Sequence, residues 1–167
     1  MVTTVIFAQS PASPLPTGTT VRISSLETGG SYCVCEMTTP PGDGVALHVH
    51  DRDEECYYIL EGAYDMRAGK DRFVAEVGSI VVIPPRVPHE FRNATSVLAR
   101  ALVTFRPGGF DLLLQEMRLA ARDGPVNETQ RCAILAKWGV TFLGQDAQSS
   151  MRSPVLGTDA VLKPEPQ

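Results

Sequence analysis

The sequence predicts an all-β fold, a sandwich or barrel of short antiparallel strands with two helices packed on it near the C-terminal end. Eight short runs rich in Val, Ile, Tyr and Phe follow one another between residues 21 and 105, punctuated by Gly, Pro and Asp. After Pro107 the apolar spacing changes to that of a helix. Set into the strand region are the only three histidines of the 167 residues, two of them one position apart.

In chain order, residues 1–20 read as an N-terminal arm, with Pro11, Pro14 and Pro16 breaking any regular element. The strand runs VRISSLE, SYCVCEM, CYYILEG, AYDMRAG, RFVAEV, SIVVIP, HEFRN and VLARALVTF then fill a barrel over residues 21–107. A helical segment over 108–144 follows. Phe110, Leu113, Leu114, Met117, Ala120 and Ala121 form the stripe of its first helix, and Gly124-Pro125 stops it. Asn127 and Gln130 stand in capping-box position for a second helix, with Cys132, Leu135 and Ala136 as its stripe and Gly139 as its end. Residues 145–167 read as an irregular tail, so the chain is one domain overall.

Composition narrows the function. Neither the net charge of −4 nor any basic cluster suits nucleic acid or an anionic membrane, and no apolar run is long enough to cross a bilayer. A small neutral or apolar ligand fits better. The start lacks the basic region of a signal peptide, and four cysteines in a chain this long make no disulfide framework, so a cytoplasmic location is expected. Cys33 and Cys35 read as small buried hydrophobes.

The informative stretch is GDGVALHVHDRDEECYYILEG, residues 42–62. Side chains alternate along a strand, so His48 and His50 point to one side with Val49 opposite, as two imidazoles converging on one ion require. Asp51, Arg52 and Asp53 make a polar turn and read as solvated residues rather than ligands. Glu55, Tyr57 and Ile59 share a face of the next strand, so Glu55 can meet the histidines across the hairpin. Pro84, Pro85 and Pro88 stiffen a corner that delivers His89 to the head of another strand. Three imidazoles and a carboxylate suit a divalent first-row metal (Fe, Mn, Ni, Co, Cu or Zn) with one or two positions left open.

On these residues the chain resembles the cupins, small jelly-roll (double-stranded β-helix) barrels defined by two motifs. Gly42, His48, His50, Glu55 and Gly62 match the first motif in full; Gly78, Pro84, His89 and Asn93 match the second, where Arg86 replaces a glycine. The resemblance implies His48, His50, Glu55 and His89 as the ligands of one divalent transition metal. Glu54 competes for the carboxylate position, but the spacing to Gly62 and the face shared with Tyr57 favour Glu55. If the Arg86 corner needs a positive φ, arginine there costs on the order of 1 kcal/mol. Tyr57, Tyr64 and Phe91 are collectively candidates for a substrate-binding wall, although each alone also reads as barrel core.

Residues 21–144 are similar to small bacterial single-domain cupins of the quercetin-dioxygenase-like group. That similarity implies a dioxygenase using O2 on a small phenolic, aromatic or polyketide-like substrate, with Glu55 as both ligand and catalytic base, in a homodimer. A redox-neutral cyclase or isomerase, or a ligand-binding module without turnover, would use the same barrel.

Overall fold

The computed structural model describes residues 18–122 and 124–143; most of the expected arm and all of the tail lie outside them. Within these residues ten strands form two five-stranded antiparallel sheets, the double layer of a jelly roll. The strands are β1 (Thr19–Ile23), β2 (Cys33–Thr39), β3 (Gly44–His50), β4 (Glu54–Glu61), β5 (Ala63–Ala68), β6 (Asp71–Glu76), β7 (Ile80–Ile83), β8 (His89–Arg92), β9 (Ala99–Arg106) and β10 (Val140–Phe142). One sheet runs β1-β2-β9-β4-β7 and the other β10-β3-β8-β5-β6. Two helices, α1 (Phe110–Ala120) and α2 (Glu128–Lys137), lie between β9 and β10. Neither helix is long and apolar enough to cross a membrane.

Alternation along each strand builds the lumen. Cys33, Cys35, Tyr57, Ile59, Ala101, Val103 and Phe105 point inward from the first sheet and meet Tyr64, Met66, Ala75 and Phe91 of the second. Cys33 and Cys35 are fully buried among them, as expected of small hydrophobes, and no described cysteine is in a disulfide. Asn93, the last residue of the second motif, is wholly buried and works as a tie. Its amide donates to Thr39 O and Val97 O, and its Oδ1 accepts from Thr95. Its backbone pairs with Gly42 and Asp43, so one side chain and its peptide join two loops at one end of the barrel.

Several expectations need correction. Thr19 and Thr20, read as the end of the arm, begin β1. Ala120 and Ala121 are exposed, so the inward stripe of α1 ends at Met117. The capping box of Asn127 and Gln130 is present, yet α2 has no buried residue, and Cys132 and Ala136 of its expected stripe face solvent. The reason is that α2 is pinned to α1 by polar contacts. Glu116 accepts from Lys137 Nζ at 2.8 Å and Trp138 Nε1 at 2.7 Å. The helical segment also contains β10, a strand the helical reading passed over.

Two backbone positions shape the motif corners. Gly62 has φ +69, and a Cβ there would lie 2.9 Å from Ala99 Cβ, so both conformation and space demand glycine. Arg86 has φ +65 and is the one non-glycine residue with positive φ among the described residues. The turn therefore keeps its shape despite the substitution. Val87 N donates to Pro84 O, which makes Pro85 and Arg86 the central pair of a turn whose second position favours glycine. Arg86→Gly is expected to stabilise the protein by up to about 1 kcal/mol, left-handed strain relieved minus the added entropy of the unfolded glycine chain. Thermal or urea unfolding reads this directly, and a lower midpoint for the glycine variant would contradict it.

Candidate metal site

Four buried side chains converge inside the barrel. His48 and His50 come from β3, Glu55 from the start of β4 and His89 from the head of β8, and one donor atom from each lies within 4.8 Å of the others. Register explains the convergence. His48 pairs with His89 across β3 and β8, while Glu55 faces them from the opposite sheet, between Phe105 of β9 and Ile83 of β7. Glu55 is 1% exposed, and Glu54, its competitor in the sequence, is not part of the cluster.

A shift of register between Val45 and His48 adds an irregularity to β3. Val45 and His48 both pair with inward-facing partners, Phe91 and His89, although they stand three positions apart. Simple alternation would have sent one of them outward. The Ala46 carbonyl lies 2.8 Å from His48 Nδ1. His89 Nδ1 is likewise held by Val87 O at 3.0 Å, and His50 Nδ1 by Asp53 Oδ2 at 3.1 Å. With every Nδ1 engaged as a donor, each imidazole in its neutral form presents the lone pair of Nε2 to the centre, His50 after giving up its second proton.

Glu55 is divided in the same manner. The Tyr57 hydroxyl donates to Oε2, whereas Oε1 sits 2.8 Å from His50 Nε2 and 3.4 Å from His89 Nε2. Glu55 Oε1 and His89 Nε2 are nevertheless buried without a hydrogen bond. Native interiors rarely leave such atoms unpaired. Three imidazole nitrogens and one carboxylate oxygen facing one point are the donor set of a first-row metal, so these residues fit the ion that the two motifs imply.

Charge in the metal-free cluster is uneven. Burial, then the His89 charge, pushes His48 down to about 3. Burial also opposes protonation of His50, but the Asp53 and Glu55 carboxylates outweigh it and push it up to about 9. Burial alone would raise Glu55; the His50 and His89 imidazoles instead hold it well below the usual carboxylate range. Tyr57 is pushed well above the ordinary tyrosine value by burial and by Glu55, so it stays a donor.

A sign follows for stability. His50 binds its proton more tightly folded than unfolded, so its contribution is complete below pH ~6.5 and disappears as pH rises through about 9. His48 is depressed, so its contribution is present above pH ~6.5 and fades as pH falls toward about 3. Chelator-stripped protein is therefore expected to have its highest melting temperature near pH 6 to 7. Metal-loaded protein should lose the alkaline decline, because the ion takes the place of the His50 proton. Parallel alkaline declines in the two forms would refute the His50 assignment.

Of the residues expected to line a pocket, Tyr57 adjoins the ligand set through Glu55, and Phe91 and then Tyr64 follow it in a chain of ring contacts. The Tyr57 and Phe91 rings are 6.0 Å apart, and those of Tyr64 and Phe91 are 5.5 Å apart, both edge to face. Tyr64 also shares a 3.0 Å hydrogen bond with Thr39. All three belong to the packed core.

The structure adds residues beyond these. Phe142 of β10 pairs opposite His48 and stacks on its ring at 5.3 Å. Phe105 and Phe110 stack on each other at 3.8 Å and flank His50 at 6.2 and 6.0 Å. Asp53, expected to be a solvated turn residue, is instead a largely buried partner of His50. The signals were faint: an acid three positions after His50, and the alternation Val140, Thr141, Phe142 after a glycine stop.

Known proteins agree with this fold. Residues 35–105 match the cupin domain family. The chain is 34% identical over 79 residues to the uncharacterised protein MJ1618 of Methanocaldococcus jannaschii, covering 47% of this chain and 63% of that one, under two thirds of the relative's length. Among solved structures, it is similar to a predicted oxalate decarboxylase of Thermotoga maritima, with TM-score 0.52, 21% identity and coverage of 53% and 78%. It is also similar to an uncharacterised conserved protein with a double-stranded β-helix domain from Klebsiella pneumoniae, with TM-score 0.51, 19% identity and coverage of 64% and 93%. Both motifs and the jelly-roll layers agree with that family match, which identifies residues 35–105 as a cupin domain.

Proposed function

We propose that this protein is a metal-dependent oxygenase acting on a small phenolic, aromatic or polyketide-like molecule, with one divalent ion held by His48, His50, Glu55 and His89. The observation that supports it best is the character of the surroundings. No lysine or arginine is buried among the described residues, and the rings of Tyr57, Phe105, Phe110 and Phe142 stand around the ligand cluster. A phosphorylated sugar would enter such a lumen without a counter-charge, whereas a planar aromatic would not need one.

A first-row ion bound here supplies a Lewis acid for an enolic or phenolic oxygen and, if redox-active, a means of activating O2. The chain does the rest. Glu55, kept ionised, accepts the substrate's hydroxyl proton, and the Tyr57 hydroxyl holds the carboxylate's other oxygen in place. The phenylalanine rings exclude water. A redox-neutral cyclase or isomerase is the second reading, favoured by the Glu55–Tyr57 pair, which can move a proton without an oxidant.

The deciding experiment supplies phenolic and polyketide-like candidates with and without O2. Conversion that stops under anaerobiosis and places labelled oxygen in the product supports the oxygenase. Equal conversion without O2 replaces it by the cyclase or isomerase, and tight binding without conversion in either atmosphere by a binding module. A cytoplasmic homodimer belongs to the same reading. The free described cysteines suit a reducing compartment, and sedimentation of the purified protein tests the dimer.

A further inference from the structure

The three imidazoles of the cluster are not supported alike. His48 and His89 lean on neutral backbone carbonyls, but His50 leans on the carboxylate of Asp53. A carboxylate is the stronger acceptor, so it fixes the ring more firmly and makes Nε2 the better donor to an ion. Asp53 is not on a loose tip, since its side chain is only 13% exposed. The turn that carries it is braced from behind: Asp51 N donates to Gly139 O at 2.8 Å, and Gly139, at φ +75, lies close against Asp51. From the other side, Arg86 N donates to His50 O at 2.7 Å.

Charge points the same way. With neutral imidazoles, Glu55 alone would leave a bound divalent ion with one uncompensated positive charge in a buried site. A second anion directly behind a ligand removes that excess, and among the described residues no other acid contacts any of the three histidines.

We infer that Asp53 is a positioning residue of the metal centre: through His50 it fixes the Nδ1–H tautomer and supplies the second negative charge that balances a divalent ion. The inference rests on the proposed four-ligand site and on no particular reaction. It assigns the polar turn a function that a solvated loop residue would not have.

The test uses full-length protein titrated with Co(II) against a competing chelator, following the metal's visible absorption, for the wild type and for Asp53→Asn, Asp53→Ala and Asp53→Glu. Asparagine can still accept the hydrogen bond but carries no charge. It is expected to weaken Co(II) binding about 10- to 100-fold and to shift the absorption bands, with alanine at least as severe and glutamate partly restoring affinity. The melting temperatures of the metal-free proteins show that the variants are folded. Nitrogen-15 spectra of the zinc-loaded proteins should then show the His50 Nδ1–H proton moving upfield in the asparagine variant. Wild-type affinity and spectrum in folded Asp53→Asn would overturn the inference. Absence of Co(II) binding by the wild type would instead overturn the four-ligand site, a failure distinguishable because it does not depend on Asp53.

Discussion

Glu55→Gln is expected to reduce turnover of a phenolic substrate by about 10²- to 10⁴-fold, the usual contribution of a positioned general base, while metal content falls much less. The amide keeps the length of the side chain and one oxygen that can face the cluster. It loses the negative charge and the capacity to take a proton. It also changes the contact with Tyr57, whose hydroxyl now donates to a carboxylate oxygen. Rate per bound metal is therefore the quantity to compare, with metal counted by elemental analysis on the same sample. If activity and metal content fall in proportion, Glu55 is a ligand only and the base lies elsewhere.

Removing two imidazoles should have a still larger effect on binding. His48→Ala with His89→Ala leaves His50 and Glu55, and a divalent ion then loses half of its protein donors. The loss in affinity should exceed the roughly 10- to 100-fold that accompanies loss of a supporting contact behind a ligand. Both histidines are buried, so the double variant also opens space, and its folding must be established by circular dichroism before metal is counted. Full occupancy in a folded double variant would sink the four-ligand assignment. The metal found in wild-type protein purified without added metal also bears on the chemistry, because zinc alone would leave no route to O2.

How far the sequence reveals this arrangement differs between residues for physical reasons. His48, His50 and Glu55 are legible because strand alternation is local, and Glu55 rather than Glu54 stands in the cluster with the histidines. The irregularity before His48 is not legible, since a shifted register is decided by the neighbouring strand β8. Phe142 escapes for a related reason. A three-residue strand has too little periodicity to announce itself, and β10 is a strand because β3 offers it an edge. The outward face of Cys132 and Ala136 depends on how α2 is held to α1, which their spacing does not record. For Asp53, a turn rich in acids looks solvated until the ring of His50 is placed beside it.

The pairing of β10 with β3 also sets an order of events during synthesis. The strand bearing His48 and His50 emerges early from the ribosome, yet its neighbours in the sheet, β8 and β10, emerge later, and β10 follows both helices. Until residue 142 is free of the exit tunnel, β3 keeps one edge open and Phe142 cannot cover His48. The four converging side chains are all made before β10, so an elongating chain holds its imidazoles beside an unprotected edge that chaperones can reach. A stall between β9 and β10 would expose that edge for longest.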